Sequence, residues 1–327
     1  AKTRDTYVAY RKAGYSKKML DVCLLGTGGM MPLPNRWLTS CIVRSAGTTI
    51  LIDCGEGTQI TLRQLGWSFK SIDAIWITHY HGDHISGLPG LVLTIGNTGR
   101  TETLHLYGPR GLTRIARGLL QIAPELPFRI EFHELTGEEE PMQVGCFVMR
   151  SVKLDHGIPC LGYRLDLPRQ PEFLREKAER NQVPLKLWSR LQKGETIEQD
   201  GVVYRPEMVL GEPRKGLSLC YCTDTRPVPG IVQAAADVDL FICEGMYGEE
   251  EKKSRANEYK HMTFREAAEL AKAAQAKELW LTHFSPSLIH PKEVLHEAKE
   301  IFPNSYVGKD RMIKVLNYED ECEDLGH

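Results

Sequence analysis

An apolar run over residues 72–78 (Ile-Asp-Ala-Ile-Trp-Ile-Thr) ends directly in His79, His81, Asp83 and His84. Four ligand-type side chains fall within six positions, in the pattern H-x-H-x-D-H. The run reads as a buried strand, so the cluster belongs at a sheet edge, where loops build sites. Gly82 gives the chain freedom to turn there. In such a turn His79 and His81 can converge on one ion while Asp83 and His84 point at a second. Imidazole together with carboxylate suits Zn²⁺, and also Mn²⁺ or Fe²⁺. The bland alternative is a solvated His-rich loop, which three His and an Asp at this spacing disfavour. Four ligands cannot complete two sites, so the fold must carry further ligands to the same edge.

Ligand-type residues recur at predicted strand ends. His156 lies in Leu154-Asp155-His156-Gly157, before a predicted strand over 160–165. Asp224 follows the apolar stretch 217–222, and His283 follows 278–282. Taken singly, each is more often a satisfied polar residue. With the first cluster they fit a two-metal site, and a carboxylate such as Asp224 has two oxygens with which to bridge. His105 and His133 fall inside predicted strands rather than at their ends and read as packing or surface residues. His261 precedes Met262-Thr263-Phe264-Arg265-Glu266, where Thr263 and Glu266 form a capping box that opens a helix. His261 therefore sits beside a helix N-terminus, a place suited to phosphate.

Residues 166–213 interrupt this order of strands and helices. Between 169 and 193 seven basic residues (Arg169, Arg175, Lys177, Arg180, Lys186, Arg190, Lys193) face three acids, Glu172, Glu176 and Glu179. Phe173, Leu174, Leu185, Leu187, Trp188 and Leu191 interleave with them. The segment reads as a helical protrusion with an apolar stripe and a basic face. An ordinary solvated insertion is the alternative for any such charge run. Beyond it the predicted order is strand 217–222, helix 230–236, strand 240–243, helix 263–274, strand 278–282 and helix 291–301. Two strand-rich halves with outer helices imply sheets packed face to face under helices.

Composition narrows the class. The chain has 327 residues, 42% of them hydrophobic, enough for a sizeable core. It contains no apolar run of membrane-spanning length and no signal-like apolar stretch near its start. Its nine Cys show no C-x-x-C, and Cys23, Cys41, Cys220 and Cys243 lie in strand-like contexts. They read as reduced thiols of a cytoplasmic protein, with Cys220 and Cys222 packed in a strand. The net charge of −2 argues against broad nonspecific nucleic-acid binding and leaves room for a local basic surface. Residues 1–18 carry six Lys or Arg and one Asp, and Met19 reads as a candidate initiator. Residues 317–327 form an acidic tail.

Several segments together resemble the metallo-β-lactamase superfamily and, within it, the ribonuclease Z family. They are Leu25-Gly26-Thr27-Gly28-Gly29, Asp53-Cys54-Gly55-Glu56-Gly57-Thr58-Gln59, the stretch from His79 to Leu91, Gly162-Tyr163-Arg164, Thr223-Asp224-Thr225-Arg226-Pro227 and Leu281-Thr282-His283. The resemblance runs from about residue 19 to 316. It implies a four-layer αββα sandwich built from 19–165 and 214–316, with 166–213 as an inserted, protruding basic arm. It implies two divalent ions, zinc first and manganese second. His79, His81 and His156 would hold one; Asp83, His84 and His283 would hold the other; Asp224 would bridge.

Asp53 would orient the ligand loop, and Asp83 and His261 would take catalytic roles. The implied activity is metal-assisted removal of the 3′ trailer of precursor tRNA, leaving a 3′-OH. The arm, with Arg175, Lys177, Arg180, Lys186, Arg190 and Lys193, would grip the tRNA, and a homodimer is implied. Three places depart from the family pattern. The loop at His261 reads His261-Met262-Thr263 where the family has His-Ser-Thr or His-Glu-Ala-Thr. The arm tip reads Val183-Pro184-Leu185-Lys186, and the loop 32–37 keeps Pro32 and Arg36 but has Pro34 and Trp37. A phosphodiesterase of small substrates is the alternative reading.

Overall fold

The computed structural model describes residues 19–123 and 125–318. The basic stretch 1–18 and most of the acidic tail lie outside the described residues. Those described fall into two compact units, 19–167 with 217–318, and Pro168–Gly216.

Two seven-stranded sheets form the larger unit among the described residues. The first contains β1 (Leu20–Gly26), β2 (Ser40–Ser45), β3 (Thr48–Ile52), β4 (Ala74–Trp76), β5 (Leu104–Pro109), β6 (Ile130–Leu135) and β16 (Met312–Leu316), in the order β16-β1-β2-β3-β4-β5-β6. Its strands run antiparallel from β16 to β3 and parallel from β3 to β6. The second contains β7 (Met142–Val144), β8 (Phe147–Lys153), β9 (Leu161–Arg169), β12 (Arg214–Cys222), β13 (Leu240–Glu244), β14 (Leu279–Thr282) and β15 (Ser305–Val307). Their order is β15-β14-β13-β12-β9-β8-β7.

The apolar pattern explains the layering. Along a strand successive side chains face opposite ways, and in these strands both faces are apolar. Leu240 and Ile242 of β13 enter the core between the sheets, while Phe241 and Cys243 enter a second core under helices. Leu219 and Tyr221 of β12 face inward, and Cys220 and Cys222 face outward. On the first sheet Ile50 and Ile52 face inward and Leu51 outward. Helices α1 (Thr58–Leu65), α2 (Leu88–Gly96) and α3 (Leu112–Leu119) cover its outer face through Leu62, Leu91, Val92 and Ala116. Helices α4 (Pro229–Ala234) and α5 (Phe264–Ala273) cover the second sheet through Ile231, Phe264, Ala267 and Ala271. The order is helix, sheet, sheet, helix, which is the αββα sandwich of the metallo-β-lactamase fold. Among the described residues, no helix is long and apolar enough to cross a membrane.

The unit Pro168–Gly216 differs from the expected helical protrusion. It holds two short helices, Arg175–Arg180 and Trp188–Gln192, and a hairpin of β10 (Ile197–Gln199) and β11 (Val202–Tyr204). The turn is Asp200-Gly201, with φ of 52° and 75°. Two positive φ values at an Asp-Gly pair are the chemistry of a two-residue hairpin, whose twist matches its strands. The apolar residues do not form a stripe on one helix. Ala178, Val183, Leu187, Leu191, Ile197, Val209 and Leu210 pack into a small core of their own. Trp188 closes it, its indole N–H donating to the Val183 carbonyl at 2.9 Å.

The predicted helix over 291–301 is also broken. A 3₁₀ turn, Pro291–Val294, precedes a short helix, His296–Lys299. Bonds from residue i to i+3 tighten that first turn.

Gly26 ends β1 where the backbone of Leu38 crosses it. A Cβ there would lie 1.8 Å from the Leu38 carbonyl oxygen, and a backbone atom cannot swing aside. Gly26→Ala should therefore destabilise the fold by about 2–3 kcal/mol, as overpacking does. Urea denaturation checks this, and a midpoint unchanged from wild type would refute the contact.

Candidate metal centre

The strands deliver their chemistry at their C-terminal ends. Asp53 follows β3, Thr78 and His79 follow β4, Asp224 follows β12 and His283 follows β14. Asp53, Asp224 and His283 have φ of 58°, 57° and 58°. A left-handed turn at a residue other than Gly costs about 1–2 kcal/mol. Three such turns at neighbouring strand ends swing these side chains out of the sheets to a common place. The helical turn Gly82–Ile85 brings Asp83 and His84 to the same place. His156 arrives from the connection between β8 and β9.

Two groups of four donors result. His79, His81, His156 and Asp224 form one; Asp83, His84, Asp224 and His283 form the other. In the first, His81 Nδ1 lies 3.1 Å from His79 Nε2 and 3.1 Å from His156 Nε2. Asp224 Oδ2 is 3.4 Å and 3.3 Å from the same two Nε2 atoms. In the second, His84 Nε2 and His283 Nε2 are 3.1 Å apart. Asp224 Oδ1 lies 3.2 Å and 3.1 Å from them, and Asp83 Oδ2 is 3.2 Å from His283 Nε2. Each oxygen of Asp224 thus serves a different group. Donors around a tetrahedral zinc ion with bonds near 2.0–2.1 Å stand about 3.3 Å apart, so both groups have the right size.

The donors also fit an ion by what they lack. Asp224 Oδ1 is buried beside two imidazole nitrogens and makes no hydrogen bond. A buried carboxylate oxygen in that state is costly unless a cation meets it. Asp224 itself is 2% exposed, and His79, His84 and His283 are fully buried. Burial pushes the His79 imidazole down to about 3, the neutral form that binds metal. Burial works against the charged forms of Asp83 and Asp224, yet the surrounding imidazoles hold both carboxyls below their usual range.

Outer contacts fix the rings. Asp53 Oδ2 is 2.7 Å from His84 Nδ1, and Asp53 Oδ1 accepts the Thr78 backbone N–H at 2.7 Å. His84 Nε2 is left facing the ion site, as such partners enforce. His156 Nδ1 pairs with the Lys260 carbonyl at 3.1 Å. The Met30 backbone N–H donates to Asp83 Oδ2 at 2.7 Å. Gly29 lies so close to His283 that a Cβ would come within 2.7 Å of its ring.

His261 stands beside both groups. Its ring stacks over His283 at 5.5 Å and lies 5.0 Å from the ring of His156. The expected capping box opens α5, with Thr263 N–H donating to Glu266 Oε2 at 3.0 Å. The sequence reading missed Glu244. Its Oε2 is 3.1 Å from His261 Nδ1 and also accepts the Met262 N–H at 3.1 Å. Burial opposes charge on His261, but Glu244 raises its pKa to about 9. Arg226 pairs with Glu266 and donates to the His261 carbonyl, which anchors the loop from below. A signal for Glu244 exists: the apolar run Leu240-Phe241-Ile242-Cys243 closes on an acid, as the run before Asp53 does.

The donors open into a cleft of about 570 Å³ lined by Met31, Met246, Tyr247, Arg255, Tyr259 and Pro286. A larger groove of about 650 Å³, lined by Arg36, Trp37, Lys292, Lys309 and Arg311, holds none of the donors. Arg36 of the 32–37 loop is engaged there, donating to the carbonyls of Leu288 and Ile289 at 2.9 and 3.0 Å. The basic residues of the Pro168–Gly216 unit are mostly exposed. Arg175 and Arg190 pair with Glu179 and Glu195, Lys177 donates to the Leu210 carbonyl, and Arg180, Lys186 and Lys193 face solvent.

Two outcomes follow from the outer contacts. Asp53→Asn should weaken divalent-ion affinity roughly 10- to 100-fold, read by competition with a chelator. In metal-free protein, Glu244→Gln should lower the His261 pKa from about 9. Removing an anion beside an imidazolium lowers its pKa, and NMR titration of the ring reads the shift.

Comparison with known proteins agrees with this architecture. Residues 20–116 match the family described as anti-Pycsar protein Apyc1, and residues 189–284 match the beta-lactamase superfamily domain. The chain resembles human tRNase Z, short form, with a TM-score of 0.65 and 27% identity, over 91% of this chain and all of that one. It shares its fold with the metallo-beta-lactamase fold protein YhfI from Bacillus subtilis, at a TM-score of 0.66 and 20% identity, over 92% of this chain and all of that one. Ribonuclease Z of Clostridium kluyveri is 54% identical over 92% of this chain and all of its own length. Ribonuclease Z of Lachnoclostridium phytofermentans is 58% identical over 92% of this chain and 99% of its own length. With such identity along nearly its whole length, and with two donor groups sharing Asp224 at the edge of an αββα sandwich, the chain belongs to the ribonuclease Z family.

Proposed function

We propose that this chain cuts the 3′ trailer from precursor tRNA by hydrolysing one phosphodiester bond, leaving a 3′-OH on the tRNA. The observation that carries the reading is the pair of donor groups sharing Asp224, open to a cleft with His261 beside them. Human tRNase Z and the bacterial ribonucleases Z are this chain's relatives.

His79, His81, His156 and Asp224 would hold one divalent ion, and Asp83, His84, His283 and Asp224 the other. Such ions acidify water near neutrality and offset charge on phosphoryl oxygens. Zinc is the proposed ion, because imidazole and carboxylate donors at tetrahedral spacing suit it. Asp83, fixed by the Met30 N–H, orients the attacking water and takes its proton. Glu244 occupies His261 Nδ1 and leaves Nε2 as the ring's second donor. Held charged, His261 donates from there to the scissile phosphate; as the P–O3′ bond breaks, its proton passes to the departing tRNA 3′-oxygen, which becomes the 3′-OH, while the trailer keeps the phosphate at its 5′ end.

The Pro168–Gly216 unit is proposed to hold tRNA phosphates through Arg175, Lys177, Arg180, Lys186, Arg190 and Lys193. A homodimer and a cytoplasmic location complete the proposal. Eight free thiols among the described residues suit a reducing compartment.

The test is a 3′-extended precursor tRNA, incubated with the protein and Zn²⁺ or Mn²⁺, with both new ends mapped. One cut leaving a 3′-OH is expected, and a cyclic phosphate would refute the mechanism. His261→Ala should lower kcat about 10²- to 10⁴-fold with the ions still bound. Replacing Arg180, Lys186 and Lys193 together by Ala should raise KM for precursor tRNA. It should also flatten the salt dependence of binding, because each phosphate contact releases counterions. Hydrolysis of a small diester should be untouched by that triple change. A protein that cleaves only the small diester would instead be a phosphodiesterase of small substrates.

A further inference from the structure

His105 and His133 read from the sequence as packing or surface residues. In the fold they face each other across neighbouring parallel strands at one edge of the first sheet. His105 of β5 pairs in register with Glu131 of β6, and Tyr107 pairs with His133. His105 Nδ1 lies 3.1 Å from His133 Nε2 and 3.5 Å from Glu131 Oε2. All three donor atoms fall within 4.8 Å of one another. None of the three belongs to the donor groups around Asp224.

A hydrogen bond between two imidazoles would account for one of these distances. A carboxylate from the strand position opposite reaches the same nitrogen, so three ligand-type groups converge on one point. The spacings of 3.1 and 3.5 Å bracket the separation of about 3.3 Å expected around a zinc ion with bonds near 2.0–2.1 Å.

The His133 ring is also held in place. Tyr107 stacks on it at 4.3 Å with 14° between the planes, and the buried Trp76 stacks on Tyr107 at 4.1 Å and 8°. A ligand ring locked by packing on a rigid strand is what a metal site requires. The side chains remain open to water, His105 at 37% and Glu131 at 54% exposed, so an ion can enter and keep water ligands.

We propose that His105, Glu131 and His133 form an accessory zinc site, separate from the catalytic pair, that ties edge strand β6 to β5. Two imidazoles and a carboxylate supply three ligands, and water supplies the rest. An ion there cross-links the last two strands of the first sheet.

The experiment counts zinc per chain by elemental analysis, on full-length protein equilibrated against buffered micromolar free Zn²⁺. Wild type should retain one more zinc than His133→Ala or His105→Gln. The same loss of one zinc should appear when His133→Ala is made in a His84→Ala background, which separates this site from the catalytic one. Precursor-tRNA cleavage by zinc-loaded His133→Ala and His105→Gln should equal wild type. Metal-free wild type and the variants should unfold at the same urea concentration, which shows that a lost zinc is not lost folding. Equal zinc counts in wild type and both variants would overturn the proposal.

Discussion

The carboxylate of Asp224, buried at the meeting point of the two sheets, is the interaction on which the centre depends. An isolated buried carboxylate costs several kcal/mol. Here one oxygen faces His79 and His156 and the other faces His84 and His283. The first three imidazoles come from connections beside β4 and β8, and the fourth follows β14. One side chain thus ties the ends of both sheets to a single charge balance. Both groups converge only if the sheets hold their relative position. The apolar core between them, with Trp76, Tyr163, Tyr221 and Trp280 fully buried, keeps that position.

Around this balance the fold arranges a ring of supporting carboxylates with distinct tasks. Asp53 turns His84, Glu244 turns and charges His261, and Glu266 holds Arg226 under the His261 loop. None of the three is among the seven ligand residues themselves. They convert backbone geometry into ring orientation, the condition under which a metal centre acts rather than merely binds.

Much of this was legible in the sequence because the signals are local. H-x-H-x-D-H after an apolar run identifies a strand end and a ligand cluster in one stretch, and the apolar runs before Asp53, Asp224 and His283 do the same singly. The capping box at Thr263 and Glu266 lies where its four-residue signature places it. Other features depend on pairing across the fold. Glu244 looks like an ordinary strand residue until the His261 loop lands on it. His105 and His133 are 28 residues apart and meet only because β5 and β6 run parallel in one register. The hairpin at Asp200-Gly201 lies beyond the charged stretch 169–193 that carried the helical reading, and its Asp-Gly pair is a local turn signal which that reading passed over.

The left-handed turns at Asp53, Asp224 and His283 have a consequence for how this protein can change. Each sets a ligand or its supporter in a conformation that Gly or Asn adopts more easily. Natural variation toward a more robust fold and variation toward a better centre therefore pull in opposite directions. Relieving a strand-end turn would harden the scaffold and empty it of chemistry.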